Sequence, residues 1–251
     1  MIYRNSLGQE VVFDNRVLYL EAIDMIGTPG IHAVEGLAGS DGQRTISHQL
    51  GAKTIPCSLA IRDVGNVEWL KNKLTEVFFP KRTGTMTVIT PFCHYEIDCY
   101  PINVPSFRMA ENDGAWRFDV DFVADYPYWR KGCEHVETLT DTFSQTLESH
   151  CPFNIPPVIE YPAGGSLGLE FRCGSQHGVV YLNEHSFPVR LTTMPFSMVN
   201  MTTGASCTNI LSATEKIGNI LIRYGTNTIT GFTGNKAGVV LRYYDLSMGE
   251  I

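Results

Sequence analysis

Apolar and polar positions alternate most clearly in the stretch Trp116–Arg130. Its first half carries four apolar residues separated by charged ones: Trp116, Phe118, Val120 and Phe122. A period of two places these four on one face of a β-strand, so the strand is predicted to cover a core on one side. Proline lacks the N–H that a strand ladder needs, so the strand should end near Pro127. We interpret its closing residues as the junction to a second domain, marked by Asp125, Pro127 and Trp129.

Similar patterns predict an α+β domain before that junction. They indicate six further strands: Gln9–Phe13, Val17–Ile23, Ile31–Glu35, Ala52–Asp63, Thr85–Thr90 and Tyr95–Pro101. Pro56 lies within one of these strands and predicts an edge position or a bulge. One helix is predicted over Asn66–Phe79, with Asp63 or Asn66 as its N-cap. Its apolar stripe consists of Val67, Leu70, Leu74, Val77 and Phe78.

The stretch Gly36–Gly51 contains four glycines and few large side chains. It is too long for a hairpin loop and too polar for a core, so we expect a loop. Its second half alternates, with one set of positions formed by Arg44, Ile46, His48 and Leu50. This pattern suggests an arm that pairs as a strand on assembly with a neighbouring subunit. The alternative is a plain mobile loop.

The second half of the chain is predicted to be a β-sandwich or jelly roll. The segment Lys131–Pro157 has no clear pattern apart from a possible strand at Thr138–Phe143. Short strands follow, separated by Gly, Asn and Ser: Val158–Tyr161, Leu167–Cys173, Val179–Leu182, Phe187–Thr192, Ile220–Tyr224, Thr228–Thr230 and Val239–Tyr244. We therefore expect a mainly β protein with two domains, 1–132 and 133–251, whose boundary lies within 130–157.

Charge and hydropathy narrow the possible functions. The formal net charge of −7 argues against a protein that binds nucleic acid through a broad basic face. No apolar run is long enough for a membrane span, so membrane insertion is not expected. The N-terminus lacks the apolar region of a signal peptide, so we expect synthesis and retention in a cytoplasm until assembly or export.

The sequence indicates neither a catalytic site nor a metal or cofactor site. No nucleophile elbow, phosphate-binding loop, zinc-protease helix or dinucleotide fingerprint is present. Asp119 and Asp121 share a strand face, but a solvated face explains them. The adjacent pairs Cys93-His94 and His150-Cys151 place their members on opposite faces of a strand, so neither pair readily shares a metal. The seven cysteines are expected to be free thiols.

Several short motifs occur in an order that resembles one protein family. They are Gly39-Ser40-Asp41-Gly42, a strand at Ile55–Arg62, a helix with Leu70 and Leu74, Pro80-Lys81-Arg82-Thr83-Gly84, Val104-Pro105-Ser106-Phe107, Asp125–Trp129, Gly218-Asn219-Ile220, Tyr224–Ile229 and Leu241-Arg242-Tyr243-Tyr244. In this order the chain resembles the distal tail proteins of siphovirus-like bacteriophages and prophages. The resemblance covers most of the chain, and Asp125–Trp129 is its most specific motif.

The resemblance implies a structural role. Distal tail proteins form hexameric rings at the tip of the tail tube, with the N-terminal domains around the DNA channel. The C-terminal domains are galectin-like sandwiches that face outward. The expected partners are further copies of the chain, the tail tube protein, a tail-associated hub or lysin protein, and a receptor-binding protein or baseplate component. DNA would pass without specific binding, and the protein would belong to the virion after assembly in the host cytoplasm.

Two other classes of function remain open at this point. A carbohydrate-binding, lectin-like protein would place an exposed aromatic side chain against a sugar. All three tryptophans, however, lie in the first half: Trp69, Trp116 and Trp129. The possible platforms in the second half are Tyr181, Tyr243 and Tyr244. A glycosidase would need paired carboxylates, for which no defensible candidate exists.

Overall fold

The computed structural model describes residues 1–26, 30–36, 43–62, 65–140, 144–162, 165–215, 217–233 and 238–248. For residues 30–36, 43–50, 213–215, 217 and 232–233 it describes the backbone alone. The chain is mainly β, as predicted, and divides into two compact units. Unit 1 comprises Met1–Lys131 and Ser247–Ile251, and unit 2 comprises Gly132–Leu246.

Among the residues that the structure describes, unit 1 contains ten complete strands and one α-helix. The strands are β1 (Ile2–Asn5), β2 (Glu10–Val12), β3 (Leu18–Ile23), β4 (Gly30–Gly36), β5 (Gln43–Leu50), β6 (Lys53–Ile61), β7 (Gly84–Ile89), β8 (His94–Pro101), β9 (Arg108–Met109) and β10 (Trp116–Ala124). Helix α1 (Val67–Val77) lies between β6 and β7, and β11 (Trp129–Thr138) begins in this unit. Within unit 1 the strand order is β11-β8-β10-β6-β3, while β7 joins β8 to β1 and β1 pairs with β2.

The pairing of β6 with β10 forms the centre of this sheet. It runs antiparallel without a break from Trp116 opposite Ile61 to Ala124 opposite Lys53. Residues of both strands alternate between the core and the outer face, as their sequences predict. The buried positions include Ile55, Cys57, Leu59, Phe118, Val120 and Phe122.

Pro56 is not on an edge strand, because β6 lies between β10 and β3. The last residue of β6 that pairs with β3 is Cys57, and beyond it the carbonyl of Pro56 accepts a hydrogen bond from the N–H of Asp24 at 3.2 Å. In an antiparallel ladder the N and the carbonyl of one residue face the same neighbour. The missing N–H of Pro56 therefore falls where the β3 ladder has already ended. The bulge lies in β3, between Leu20 and Ala22.

Helix α1 packs its apolar stripe onto this core, as predicted. The Oδ1 of Asn66 accepts from the backbone N–H of Trp69 at 3.0 Å, which makes Asn66 the N-cap. Asp63, the other predicted cap, lies outside the described residues. Leu74, Val77 and Phe78 are fully buried. The ring of Phe78 packs edge-on against the ring of Phe122 in β10, with the ring centroids 5.8 Å apart.

Unit 2 contains the remaining strands. They are the rest of β11, β12 (Ser144–Ser149), β13 (Val158–Tyr161), β14 (Gly165–Cys173), β15 (Gln176–His185), β16 (Val189–Thr193), β17 (Phe196–Asn200), β18 (Leu211–Glu215), β19 (Gly225–Thr233) and β20 (Val240–Ser247). Two 3-10 helices occupy Thr208–Ile210 and Ile217–Asn219. The two sheets have the orders β17-β16-β13-β20-β11 and β12-β19-β14-β15-β18. Both contribute to one buried cluster, so unit 2 is the predicted β-sandwich.

The segment Lys131–Pro157 contains more strand than its sequence suggests. Strand β11 is ten residues long, and only Trp129 within it is buried. Its residues therefore show no alternation between apolar and polar. The predicted strand at Thr138–Phe143 is misplaced, because β11 ends at Thr138; residues 141–143 lie outside the described part.

The predicted strand at Ile220–Tyr224 is also wrong. This stretch is irregular and pairs only through a bridge between Ile222 and Ile155. The Asn227 side chain substitutes for a ladder: its amide donates to the carbonyls of Arg223 and Gly225, and its Oδ1 accepts from the N–H of Arg223. Strands β17 and β18 were not predicted.

The close approach of Gly178 to the backbone near Asn219 gives a stability prediction. A Cβ at Gly178 would lie 2.6 Å from the backbone carbon of Asn219, so Gly178→Ala should destabilise unit 2 by about 1–3 kcal/mol. Gly218→Ala is the matched control, because nothing lies within 4 Å of its Cβ position; its effect should stay within about 0.5 kcal/mol. Urea unfolding measures both, and equal effects would contradict the tight contact.

Candidate functional site

All predicted site residues belong to unit 1. They form the arm set (Arg44, Ile46, His48 and Leu50) and the junction set (Asp125, Pro127 and Trp129). Among the side chains that the structure describes, no three of the types His, Cys, Asp or Glu converge as a metal site would require. None of the helices in the described ranges has the length and apolar character that a membrane span requires.

The arm is a β-hairpin rather than the predicted loop. Strand β5, which holds the whole arm set, pairs antiparallel with β4 of the same chain, and the two form a separate two-stranded sheet. The register shifts by one residue between Ala33 and Val34, which leaves Ile46 without a partner. Because such a bulge interrupts the alternation, Arg44 occupies the opposite face from His48 and Leu50. That these four residues form an inter-subunit arm stays a prediction.

The root of the hairpin is defined here as residues 24–26, directly after β3, and hydrogen bonds fix these residues to the core of unit 1. The Oδ1 of Asp24 accepts from the N–H of Ile26 at 2.9 Å, an Asx turn that redirects the chain. Met25 is buried, and its carbonyl accepts from the indole N–H of Trp129 at 3.2 Å. One member of the junction set therefore holds the base of the predicted arm.

Lys53 is the second anchor of the arm root. It is the first residue of β6, and its side chain is fully buried. Its Nζ donates to the carbonyl of Met248 at 2.6 Å and to the carbonyl of Ile26 at 3.3 Å. Burial lowers the pKa of Lys53 to about 8, although the negative charge of Asp24 acts in the opposite direction. A single ammonium group thus ties the arm root to the backbone of Met248.

The junction set does not act as one unit. Trp129 is buried in the core of unit 1, and Pro127 is buried in the turn between β10 and β11. Asp125 is exposed and accepts a hydrogen bond from the hydroxyl of Tyr100 at 3.3 Å. The strand β10 ends at Ala124, shortly before Pro127, as the sequence predicts.

Charged side chains form a closed network at one end of the outer sheet face of unit 1. Arg117 donates to Glu21 at 2.9 Å and to Asp113 at 2.6 Å, and Arg62 contacts the same two carboxylates at 3.2 and 3.3 Å. Hydrogen bonds from Arg117 and the backbone lower the pKa of Asp113. Beside the network lies a cleft of about 290 Å³, lined in part by Glu21, Ser58, Arg108, Met109, Arg117 and Asp119. Both arginines of the network are thus paired with carboxylates.

Sequence reasoning missed two features of this region. The first is the anchoring role of Lys53, whose only signal is a lysine at an inward position of an apolar strand face. The second is the arrangement of the hairpin itself, which requires pairing Ile31–Glu35 with the second half of the predicted loop. Gly36, Gly39 and Gly42, which lie between the two pairing segments, were the available signal for that pairing.

Comparisons with known proteins agree with this architecture. The crystal structure of the Dit protein (gp 19.1) of phage SPP1 matches with a TM-score of 0.66 and 11% sequence identity, over 98% of this chain and 99% of that chain. The chain has the Dit fold. Two structures of the phage P2 baseplate in its activated conformation, with Ca and with Sr, match with TM-scores of 0.58 and 0.55. Both are 11% identical, and the match covers 96% of each chain.

No protein-family model and no curated protein matches the sequence. The Dit fold was nevertheless indicated by the order of short motifs along the chain. At 11% identity the likeness establishes the fold, and the fold extends over both units.

The buried ammonium of Lys53 gives a prediction for alkaline pH. The pKa of Lys53 is about 8 in the folded protein and has an ordinary value of 10.5, so the unfolded chain binds more protons between these pH values. The contribution of Lys53 to the unfolding free energy should therefore rise with pH in this interval. We expect the wild type to gain about 2 kcal/mol relative to Lys53→Met between pH 8 and pH 10.

Urea unfolding of both proteins at the two pH values measures this difference. Taking the difference removes shared contributions, such as those of Cys57, whose pKa burial raises to about 12. A gap between wild type and variant that does not change with pH would show that Lys53 is not buried as an ammonium.

Proposed function

We propose that the chain is a structural component of a phage tail tip. In this role it forms a hexameric ring that joins the tail tube to the baseplate or receptor-binding apparatus and lets DNA pass. The observation that carries the proposal is the match to the Dit protein of SPP1 over nearly the full length of both chains. That protein is described as a paradigm of the hub of the adsorption apparatus in phages that infect Gram-positive bacteria.

The β4–β5 hairpin suits the contact that a ring requires. In a closed ring one surface of each subunit meets a different surface of the next. The two strands pair only with each other among the described residues, so each has an outer edge whose N–H and C=O groups can pair with another chain. The root is held by Trp129 and Lys53, so the hairpin starts from a fixed base. We propose the hairpin as the inter-subunit arm.

Charge pairing supports the passage of DNA without retention. Each Lys or Arg that pairs with phosphate adds to affinity for DNA and would slow its movement. On the outer sheet face of unit 1, Arg62 and Arg117 are already paired with Glu21 and Asp113. The net charge of −7 acts in the same direction. We propose a channel wall that is neutral to acidic.

Unit 2 would carry the outward-facing role, within the predicted division into domains 1–132 and 133–251. On one of its sheets, Glu160 accepts from Arg190 at 2.8 Å and from Arg242 at 3.0 Å, and Arg242 also donates to Glu134 at 2.8 Å. These charged groups hydrogen-bond to one another across four strands. A sugar-binding site would instead leave such groups available to hydrogen-bond to the ligand. We therefore favour a structural, non-enzymatic role over carbohydrate binding.

The proposed partners follow from the same role. They are the tail tube protein, a tail-associated hub or lysin protein, and a receptor-binding protein or baseplate component. The protein would belong to the virion at the tail tip after assembly in the host cytoplasm.

Removal of the arm tests its part in assembly. Replacing residues 30–49 with a short Gly-Ser turn leaves the root and the core of unit 1 in place. We expect folded monomers instead of rings, because each subunit loses one of its two unlike contact surfaces. Light scattering measures the mass, and circular dichroism confirms the fold.

The matched control replaces Thr202 and Thr203, which lie in an exposed turn of unit 2, with Gly and Ser. It should assemble as the wild type does. Rings of unchanged mass and stability without residues 30–49 would remove the arm from the assembly mechanism, while leaving the tail-hub role intact.

A further inference from the structure

The segment between helix α1 and strand β7 presents an exposed aromatic ring and an exposed cation. Phe79 is 55% exposed, and Lys81, two residues later, is also exposed. Lys81 has a φ of 64°, in the left-handed region that residues with a side chain rarely adopt. Backbone strain of this kind is found most often at functional sites. We call Phe79 and Lys81 together the knob.

Hydrogen bonds and a ring contact hold the knob in place. The N–H of Lys81 donates to the carbonyl of Pro101 at 2.8 Å. The guanidinium group of Arg82 lies over the ring of Phe79, 5.5 Å from the ring centroid. Nη1 of Arg82 also donates to the carbonyl of Glu76 at 2.9 Å, at the end of α1. Side chains whose positions are fixed before binding lose little conformational entropy on contact.

The knob and the cleft of the outer sheet face lie on opposite sides of unit 1. Phe78 packs against Phe122, an inner residue of β10, so the end of α1 and the knob lie on the core side of the sheet. Arg117 and Asp119 alternate with the inner residues of β10, so the cleft that they line belongs to the outer face. Two unlike surfaces on opposite sides of one subunit lead to head-to-tail association of identical subunits, as a closed ring requires.

The lining of the cleft suits an aromatic ring. The cleft volume of about 290 Å³ lies just below the range of small-molecule pockets, roughly 300–1,000 Å³, so one aromatic side chain can enter. Met109 in the lining is 62% exposed, and a thioether packs favourably against an aromatic ring. Arg108, the residue before it, is also exposed, and its guanidinium group can stack on the same ring.

A carboxylate of the cleft matches the cation of the knob. Glu21 and Asp119 both line the cleft. Glu21 is paired with Arg62 at 3.2 Å and with Arg117 at 2.9 Å. Asp119 accepts from the hydroxyl of Ser58 at 2.8 Å through Oδ1. Because a carboxylate has about four acceptor sites, Asp119 can also accept from an ammonium group.

We propose that the knob of one subunit docks into the cleft of a second copy of the chain. Phe79 enters between Arg108 and Met109, and Lys81 pairs with Asp119. This inference rests on the proposed ring and gives it a contact in addition to that of the arm. The contact occupies the part of the outer face next to β9.

Charge reversal tests the pairing of Lys81 with Asp119. We expect Lys81→Glu and Asp119→Lys each to raise the concentration at which rings form at least about 10-fold, because like charges then face each other. The double variant Lys81→Glu/Asp119→Lys should recover most of this loss, because it restores the pair with inverted sign. Lys73→Glu, at an exposed position of α1, is the matched control and should assemble as the wild type does. Mass photometry over a concentration series measures ring formation, and circular dichroism confirms the fold.

Removal of the aromatic ring is the second test. Phe79→Ser should raise the same concentration at least about 10-fold. Phe92→Ser removes a phenylalanine that is 98% exposed and should leave assembly unchanged.

The docking contact is overturned if Lys81→Glu and Phe79→Ser form rings at the concentrations that the wild type needs. It is equally overturned if the double charge reversal recovers nothing. In both cases rings of the wild type would still support the tail-hub role. A folded wild type that forms no rings at any concentration would contradict the tail-hub role and the docking contact together.

Discussion

The ladder between β6 and β10 fixes much of what unit 1 can do. Its unbroken register sets which residues of both strands face the core, and its last pair places Lys53 opposite Ala124. Because β10 ends there, the chain turns and returns with Trp129 as the first residue of β11. Both anchors of the arm root are therefore consequences of one pairing: Lys53 closes β6, and Trp129 opens the strand that follows β10.

The arm root contains a buried ammonium group, that of Lys53. Burial of an ammonium group is costly, and a nearby paired carboxylate commonly offsets that cost. Two carbonyl groups receive it instead, one from Ile26 and one from Met248. Local rules of this kind are most often broken where a protein functions. The free-energy cost of burying Lys53 arises at the base of the hairpin that we propose for assembly. A fixed base there would hold the arm in a defined position for contact with a neighbouring subunit.

The sequence predicted the strands and the helix that bury only one of their faces. Strands β6 and β10 alternate because one face is buried, and helix α1 shows a stripe for the same reason. Strand β11 was missed because it is exposed along most of its length. The Ile220–Tyr224 segment was misassigned because Asn227 satisfies its backbone without a ladder, and that depends on tertiary position.

For the candidate site, the sequence singled out the arm residues and Trp129, but it did not predict the contact between Trp129 and the base of the arm. The contact between Trp129 and Met25 joins residues far apart in the chain, and no local pattern reports it. The fold likeness at 11% identity covers both units of the chain.

The central claim is that this chain assembles into the ring of a phage tail tip. Negative-stain electron microscopy of the purified wild-type protein tests it most directly. The account predicts closed rings of uniform diameter with six-fold symmetry and a central opening. A population of single particles with no rings, at concentrations where the protein is fully folded, would contradict it.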